Sequence, residues 1–407
     1  LRFRSRGQLN PSTPVVMALI DEKSLDAEGR WPWPRSKIAR LVNLLSQDGV
    51  KVIGFDIGFL EPDANSQLAI IHGFSQEIGA LNIRNPKLDA FIKAHETNAD
   101  NDLILATALK NSSAAIVLGY FFHMSQDELD YRIEPSHIDR QIERISASKY
   151  PLVIYKDKDP DVDPFIKAYA PESNLEIFSK TAASSGYYSV RSDQDGVVRW
   201  MPLIIQCGED LFPPLSVLCV WHYLDKPQLM VRVARYGVEG IQLGERFIPT
   251  DESGELLVNY LGPPKTFRHI SVSDILGGRV AAGTFKGKIV LVGATAMGTH
   301  DLRSTPVDPL YPGIEIHATV IDNILTQNFI TKPNWSKIFD LLAIISLGAL
   351  TGAALPHMSA FKGLCFAIGL FVLHIFVARW LFIYYRAWLN MVFPLLALSL
   401  NYKALTA

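Results

Sequence analysis

The sequence is poor in cysteine, carries no excess of either charge and lacks the motifs of the common hydrolases, and each shortage removes a class of function. Cys207, Cys219 and Cys365 are the only cysteines in 407 residues and none forms a CxxC pair, so neither a disulfide framework nor a zinc site is expected. Cys207 and Cys219 read as small buried apolar residues. Thirty-nine Lys and Arg nearly balance 41 Asp and Glu, for a net charge of −2, and no basic run or aromatic-basic stripe interrupts that balance. The electrostatic footprint of a nucleic-acid binder is missing, and no nucleic acid is expected among the partners. No nucleophile elbow or metalloprotease helix is present. "GATAMGTHD" (Gly293 to Asp301) has glycines spaced as in a phosphate-binding loop, but Thr299 and His300 stand where the lysine and hydroxyl residue belong, so it reads as a strand-to-helix turn. No initiator methionine precedes Leu1; no signal peptide can be read, and the natural N-terminus is expected to lie upstream.

What the sequence has in quantity is apolarity, at 48% of residues, concentrated after Trp335. Ile338 to Leu355, Gly363 to Tyr385 and Ala387 to Tyr402 read as three membrane spans, the first and third short of the about 20 residues that cross a bilayer core. Trp335, Trp380, Tyr384, Tyr385 and Trp388 sit where an aromatic belt belongs. Gly348 and Gly352 form G-x-x-x-G, a close-packing face that would pair protomers or pack within the three-helix unit. Asp340, His374 and Arg379 are ionisable at or near membrane depth, and snorkelling accounts for the two near span ends. Lysines and arginines mark both interfaces, so charge does not orient the spans.

Residues 1–334 alternate apolar β-branched runs with helical patterns, the signature of an α/β fold. The expectation is a mixed, largely parallel sheet with crossover helices and an inserted helical excursion, followed by three transmembrane helices (335–407). Runs at Pro14 to Asp21, Val50 to Asp56, Ser113 to Phe121 and Gly287 to Ala294 are apolar throughout, as strands covered on both faces should be. Ile38, Leu41, Val42 and Leu45 make a helical stripe within Arg35 to Gln47, and residues 65–112 form the excursion. Gly186 to Ile205 is predicted as a hairpin turning at Asp193 to Gly196, with short strands near Val231, Phe247 and Leu257.

Carboxylates cluster where strands end: Asp21, Asp56, Glu61, Asp63 and Asp301. At the carboxyl edge of a parallel sheet such a set is a candidate ligand or metal site, with Asp21, Asp56 and Asp301 as the core of an oxygen cage for a divalent cation or cationic ligand. The competing reading gives each Asp a capping role. Glu315 and His317, two apart, diverge on a helix, and His317 reads as a structural histidine.

"IDEKSL" (Ile20 to Leu25), "GRWPWPR" (Gly29 to Arg35), "GVKVIGFDIGFLEPD" (Gly49 to Asp63), "DGVVRWMPL" (Asp195 to Leu203), "FKGKIVLVGATAMGTHD" (Phe285 to Asp301), "STPVD" (Ser304 to Asp308) and "PGIEIHATVIDNIL" (Pro312 to Leu325) together resemble the type-2 CHASE domain, a sensory extracellular domain associated with cyclases and histidine kinases. The excursion from about Asn65 to Asn98 is longer than the family's usual connection. The resemblance implies an extracytoplasmic, periplasmic sensor for an unidentified signal, an upstream membrane helix, multi-pass insertion in bacterial inner-membrane lipid, and a homodimer. It further implies a cytoplasmic output domain beyond Ala407: a class III adenylate or guanylate cyclase, otherwise a protein kinase or diguanylate cyclase, with Mg and ATP used only there. No catalytic residue is expected within these 407 positions. The alternative of another class is a membrane-tethered metal-dependent hydrolase on Asp21, Asp56, Glu61 and Asp301; a third is an assembly or adhesion module with no ligand-dependent output.

Overall fold

The four apolar runs become adjacent strands of one sheet. In the computed structural model, which describes residues 2–64, 66–132, 135–156, 163–296, 301–333 and 335–406, two units separate: Leu9–Asn328, and Leu1–Gln8 with Phe329–Ala407. The central sheet of the first unit contains β1 (Val15–Ile20), β2 (Val52–Phe55), β3 (Ala115–His123), β4 (Ala170–Glu172), β5 (Ser184–Tyr187), β6 (Arg268–Ser271) and β7 (Ile289–Ala294). Their order is β6-β1-β7-β2-β3, with β4 and β5 both on β3. Every pairing is parallel except β3 with β4. Parallel strands need crossovers that bury both faces, and β1 and β2 are buried at every residue.

Helices α1 (Glu22–Glu28), α2 (Arg35–Gln47), α3 (Asn101–Asn111), α4 (Leu215–Tyr223), α5 (Val272–Leu276) and α6 (Gly313–Thr326) supply the cover. The stripe expected on α2 is fully buried with Val16, Ile53, Ile116 and Val290 in one core, together with α3 and α5. Each such Leu, Ile or Val is worth about 1.5–3 kcal/mol relative to leaving it in water. The opposite face carries α4 and α6. There Gly54 leaves room for Cys219, whose Sγ would lie 2.6 Å from an added Cβ, so Cys219 does act as a small apolar filler. Cys207 is also buried, and all three cysteines are free.

The excursion is helical as expected, with Ser66–Ala80 and Pro86–Ala99 ahead of α3. The short strands near Val231, Phe247 and Leu257 are present as Leu229–Ala234, Arg246–Pro249 and Glu255–Leu257. The hairpin is not. Gly196 turns at φ +77°, and Asp193 and Val197 close the turn with a 3.0 Å backbone bond. The flanking segments then part: β5 joins β3 in parallel, while Trp200–Pro202 pairs with Glu255–Leu257. Arg199, bonded to Asp193 at 2.6 Å and Asp195 at 2.7 Å, holds the turn without a ladder. Local turn chemistry was read correctly; strand partners are chosen by distant segments.

In the second unit α7 (Ser336–Ala354) runs on through a tighter turn to His357, followed by α8 (Ala360–Tyr384) and α9 (Val392–Thr406). The first two are long and apolar enough to cross a membrane, and only 17% and 22% of their apolar windows are buried; a core helix of a globular protein would be mostly covered. The expectation of three spans is corrected to two helices of span length and one shorter apolar helix. Ala387 bridges to Thr331 and the Asn390 side chain caps Val392 at 3.0 Å, so α9 begins five residues later than expected. At 15 residues it is about 22 Å long, against a core of about 30 Å. The short helix Arg2–Arg6 stacks Phe3 edge-on against Phe382 at 5.6 Å.

Candidate functional site

The carboxylates proposed from sequence divide into two groups. Asp21 caps α1: one oxygen accepts from the Ser24 amide at 2.9 Å and its hydroxyl at 2.7 Å, and the other accepts from Ser271. Asp63 accepts from the Arg35 amide at 2.9 Å, supplying the cap that Pro34, ahead of α2, cannot. The Asp63 amide in turn donates to Asp102 at 3.0 Å. Glu61 takes part through its backbone carbonyl, which accepts from the Arg35 guanidinium at 3.4 Å; its side chain points into solvent. Asp21, Asp56 and Asp301 therefore do not converge as a cation cage. Among the described residues no three His, Cys, Asp or Glu side chains come together as a metal set. Thr299 and His300 lie outside the described residues.

Asp56 and Asp301 do meet, in a cleft of about 590 Å³ at the carboxyl edge of the sheet, where ligands of open parallel sheets bind. Its wall includes Trp31, Leu60, Phe121, Tyr188, Arg191 and Arg303. Asp56 directly follows β2, and its amide donates to Val292 of β7 at 2.8 Å. The loop beyond it is clamped by fully buried Asn174, which accepts from the Phe59 amide at 2.7 Å and donates to Gly119 at 2.9 Å. Gly119 must be glycine, because a Cβ there would stand 2.2 Å from the Phe55 carbonyl oxygen. Asp301 is placed by the small ladder of Leu302–Arg303 with Tyr311–Pro312 and by the Gly313 amide, which donates to its carbonyl at 2.8 Å. A side chain at Gly313 would meet the Asp301 carboxylate at 2.6 Å.

Charge in this cleft is unevenly satisfied. Arg303 pairs with Asp301 at 2.7 Å, whereas Arg191 reaches Glu255 only at 4.0 Å. Asp56 opens to solvent only through the cleft and is otherwise surrounded by protein. Burial, then the neighbouring Asp301 charge, raises its carboxyl well above the usual carboxylate range, with Arg303 opposing. The Tyr188 phenol is raised for the same two reasons, burial and the charges of Asp56 and Asp301. His317 is 1% exposed. Its Nε2 meets the Tyr188 carbonyl at 3.3 Å, and burial pushes the ring down to about 4. It is a structural, neutral histidine, as expected. Glu315 diverges from it to accept from the Lys265 and Phe267 amides at 3.1 and 3.3 Å.

Trp31, Tyr188, Arg191 and Arg303 were not legible as site residues. Half of the "GRWPWPR" segment is structural: Trp33 is 2% exposed and its indole donates to Gly29 at 2.7 Å. Only Trp31 turns toward the cleft. Tyr188 and Arg191 follow on β5, a polar Ser-Ser-Gly-Tyr strand, and assigning Gly186 to Ile205 to a hairpin hid that position. In the second unit Gly348 lies against α9, where a Cβ would be 3.2 Å from the Asn401 amide nitrogen; nothing lies within 4 Å of one on Gly352.

No curated protein and no solved structure matches the chain. The CHASE2 domain family matches residues 1–353, the whole sheet-bearing unit with its cleft and most of α7. The chain therefore belongs to the CHASE2 domain family, the sensory extracellular domains of signalling receptors.

Proposed function

We propose that these residues are the sensory and membrane-spanning region of a bacterial inner-membrane receptor, that the Asp56 cleft is where its signal binds, and that the output is a class III nucleotide cyclase. The observation that supports a binding role is the cleft itself: it is a half-open, mostly apolar concavity and contains a carboxyl group that no described residue hydrogen-bonds. Small-molecule sites share that make-up, an apolar wall with a few unconsumed polar groups.

Signal binding can drive output only through different affinities for two receptor states. In the proposed homodimer those states differ in how the membrane helices pack, and so in the placement of two catalytic domains that build one active site between them. Two measurements on the receptor with its output domain test this. Val190→Trp, which fills the cleft from its wall, should abolish the response to signal while leaving the protein folded. One- to four-residue alanine insertions after Lys403 should make cyclic-nucleotide output rise and fall with the helical period of about 3.6 residues. Output indifferent to helical phase would sink the coupling scheme.

A further inference from the structure

Two ionisable groups in the cleft have no close partner among the described residues. Asp56 receives no hydrogen bond from any described residue, while Asp301 and Arg303 neutralise each other at 2.7 Å. Arg191 is 59% exposed at its side chain and stands 4.0 Å from Glu255, too far for a good hydrogen bond. Asp56, Tyr188 and Arg191 all line the same cleft. Around the two groups the wall is aromatic and aliphatic, including Trp31, Leu60, Phe121 and Met124, with the Phe121 and Tyr188 rings tilted against each other at 6.2 Å.

We infer that the cleft takes a small zwitterion of the amino-acid class with an apolar side chain, its ammonium group on Asp56 and its carboxylate on Arg191. This rests on the reading of the cleft as the signal site. Burial and the neighbouring Asp301 hold the Asp56 carboxyl toward its neutral form, and an ammonium group beside it would favour the ionised form and pair with it. A simple amine would leave Arg191 unanswered. A simple carboxylate would face Asp56 and Asp301 with nothing to offer them. A zwitterion answers both and leaves the charge of the site unchanged. The apolar wall takes up its side chain, and a volume of about 590 Å³ falls within the range of small-molecule sites.

The test is a thermal-shift and calorimetric screen of the full chain in nanodiscs against each common L-amino acid at millimolar concentration. Any hit is followed by its decarboxylated and deaminated analogues. The expected result is binding of at least one apolar amino acid, weakened about ten- to a hundredfold in either analogue and in Asp56→Asn or Arg191→Gln, the loss of one charge-assisted contact. Because no described residue holds either side chain in a close contact, both variants should fold, Asp56→Asn with a midpoint at or above the wild type since it removes a desolvated carboxyl, and Arg191→Gln with a midpoint close to it. Binding as tight as the wild type's in either variant overturns the inference, as does a panel with no hit. The same screen with polyamines, dicarboxylates, sugars, Mg²⁺ and Ca²⁺ separates the two levels of the argument. A hit there that Val190→Trp abolishes discards the zwitterion and keeps the cleft as sensor. No hit of any kind, with receptor output unchanged by Val190→Trp, discards the cleft as well.

Discussion

Among the ionisable residues of the sensory unit that burial shifts, His222, His317 and Glu255 make pH predictions. His222 is 5% exposed and its Nε2 meets the Ser184 hydroxyl at 2.9 Å; burial, then Lys226, pushes it down to about 4. His317 lies at about the same value. A depressed histidine is neutral in the fold and charged in the unfolded chain below 6.5, so the stability it supports is present above pH 6.5 and lost as pH falls toward 4. For His222 that loss approaches about 3 kcal/mol at 1.36 kcal/mol per unit. His222→Gln should lose less stability between pH 7 and 4.5 than the parent, read from the unfolding midpoint; an unchanged slope would falsify the assignment. Glu255 has the opposite sign. Burial raises it from 4.5 to about 7, with Arg191 opposing and Asp251 and Asp193 adding to the rise. The unfolded chain ionises first, so stability falls as pH rises from 4.5 through 7. Glu255→Gln should raise the midpoint at pH 8 by the equivalent of about 2 kcal/mol and change it little at pH 4.5.

At the scale of elements, the excursion is attached at a narrow base. Asp63 and Asp102 touch through a 3.0 Å hydrogen bond, and between them Pro86–Ala99 buries no residue, while Ile70, Phe74 and Phe91 are 59–64% exposed. Helices this short are marginal without packing, so amide exchange over Ser66–Ala80 and Pro86–Ala99 should be much faster than in β1, β2 and β7. Replacing residues 65–98 by a short Gly-Ser linker should leave the unfolding midpoint within the equivalent of about 1 kcal/mol, since only exposed structure and a short closure are changed. Collapse of the sheet on excision would show that the excursion holds the fold. Helical periodicity made these helices readable, but no pattern in the sequence reveals that their ends meet.

At the scale of the molecule, the length of α9 decides topology. If α7 and α8 both cross, as proposed, they return the chain to the side from which it came, and a crossing by α9 is what would carry its C-terminal end to the other side. An apolar helix of about 22 Å can cross by local bilayer thinning at a cost of fractions of a kcal/mol per ångström of mismatch. A fluorescent or phosphatase reporter after Ala407 should therefore report the cytoplasm, and deletion of Val392–Thr406 should move it to the sensory side. A reporter on the sensory side in both cases would overturn a cytoplasmic output.

The sequence by itself determined the sheet-forming runs, the α2 stripe, the helical excursion, the apolar end and the family, because period, composition and ordered motifs are local properties. It also placed Asp56 and Asp301 at strand ends. Tertiary structure alone decided that these two share a cleft while Asp21 and Asp63 turn back to cap α1 and α2, since a carboxylate near a free helix amide and one facing a cavity look alike in sequence. Tertiary structure alone likewise sent β5 to β3, bringing Tyr188 and Arg191 to the same cleft. The physical reason is common to both: which polar groups remain unsatisfied depends on which segments distant in the chain come to lie beside them, and no local pattern encodes those contacts.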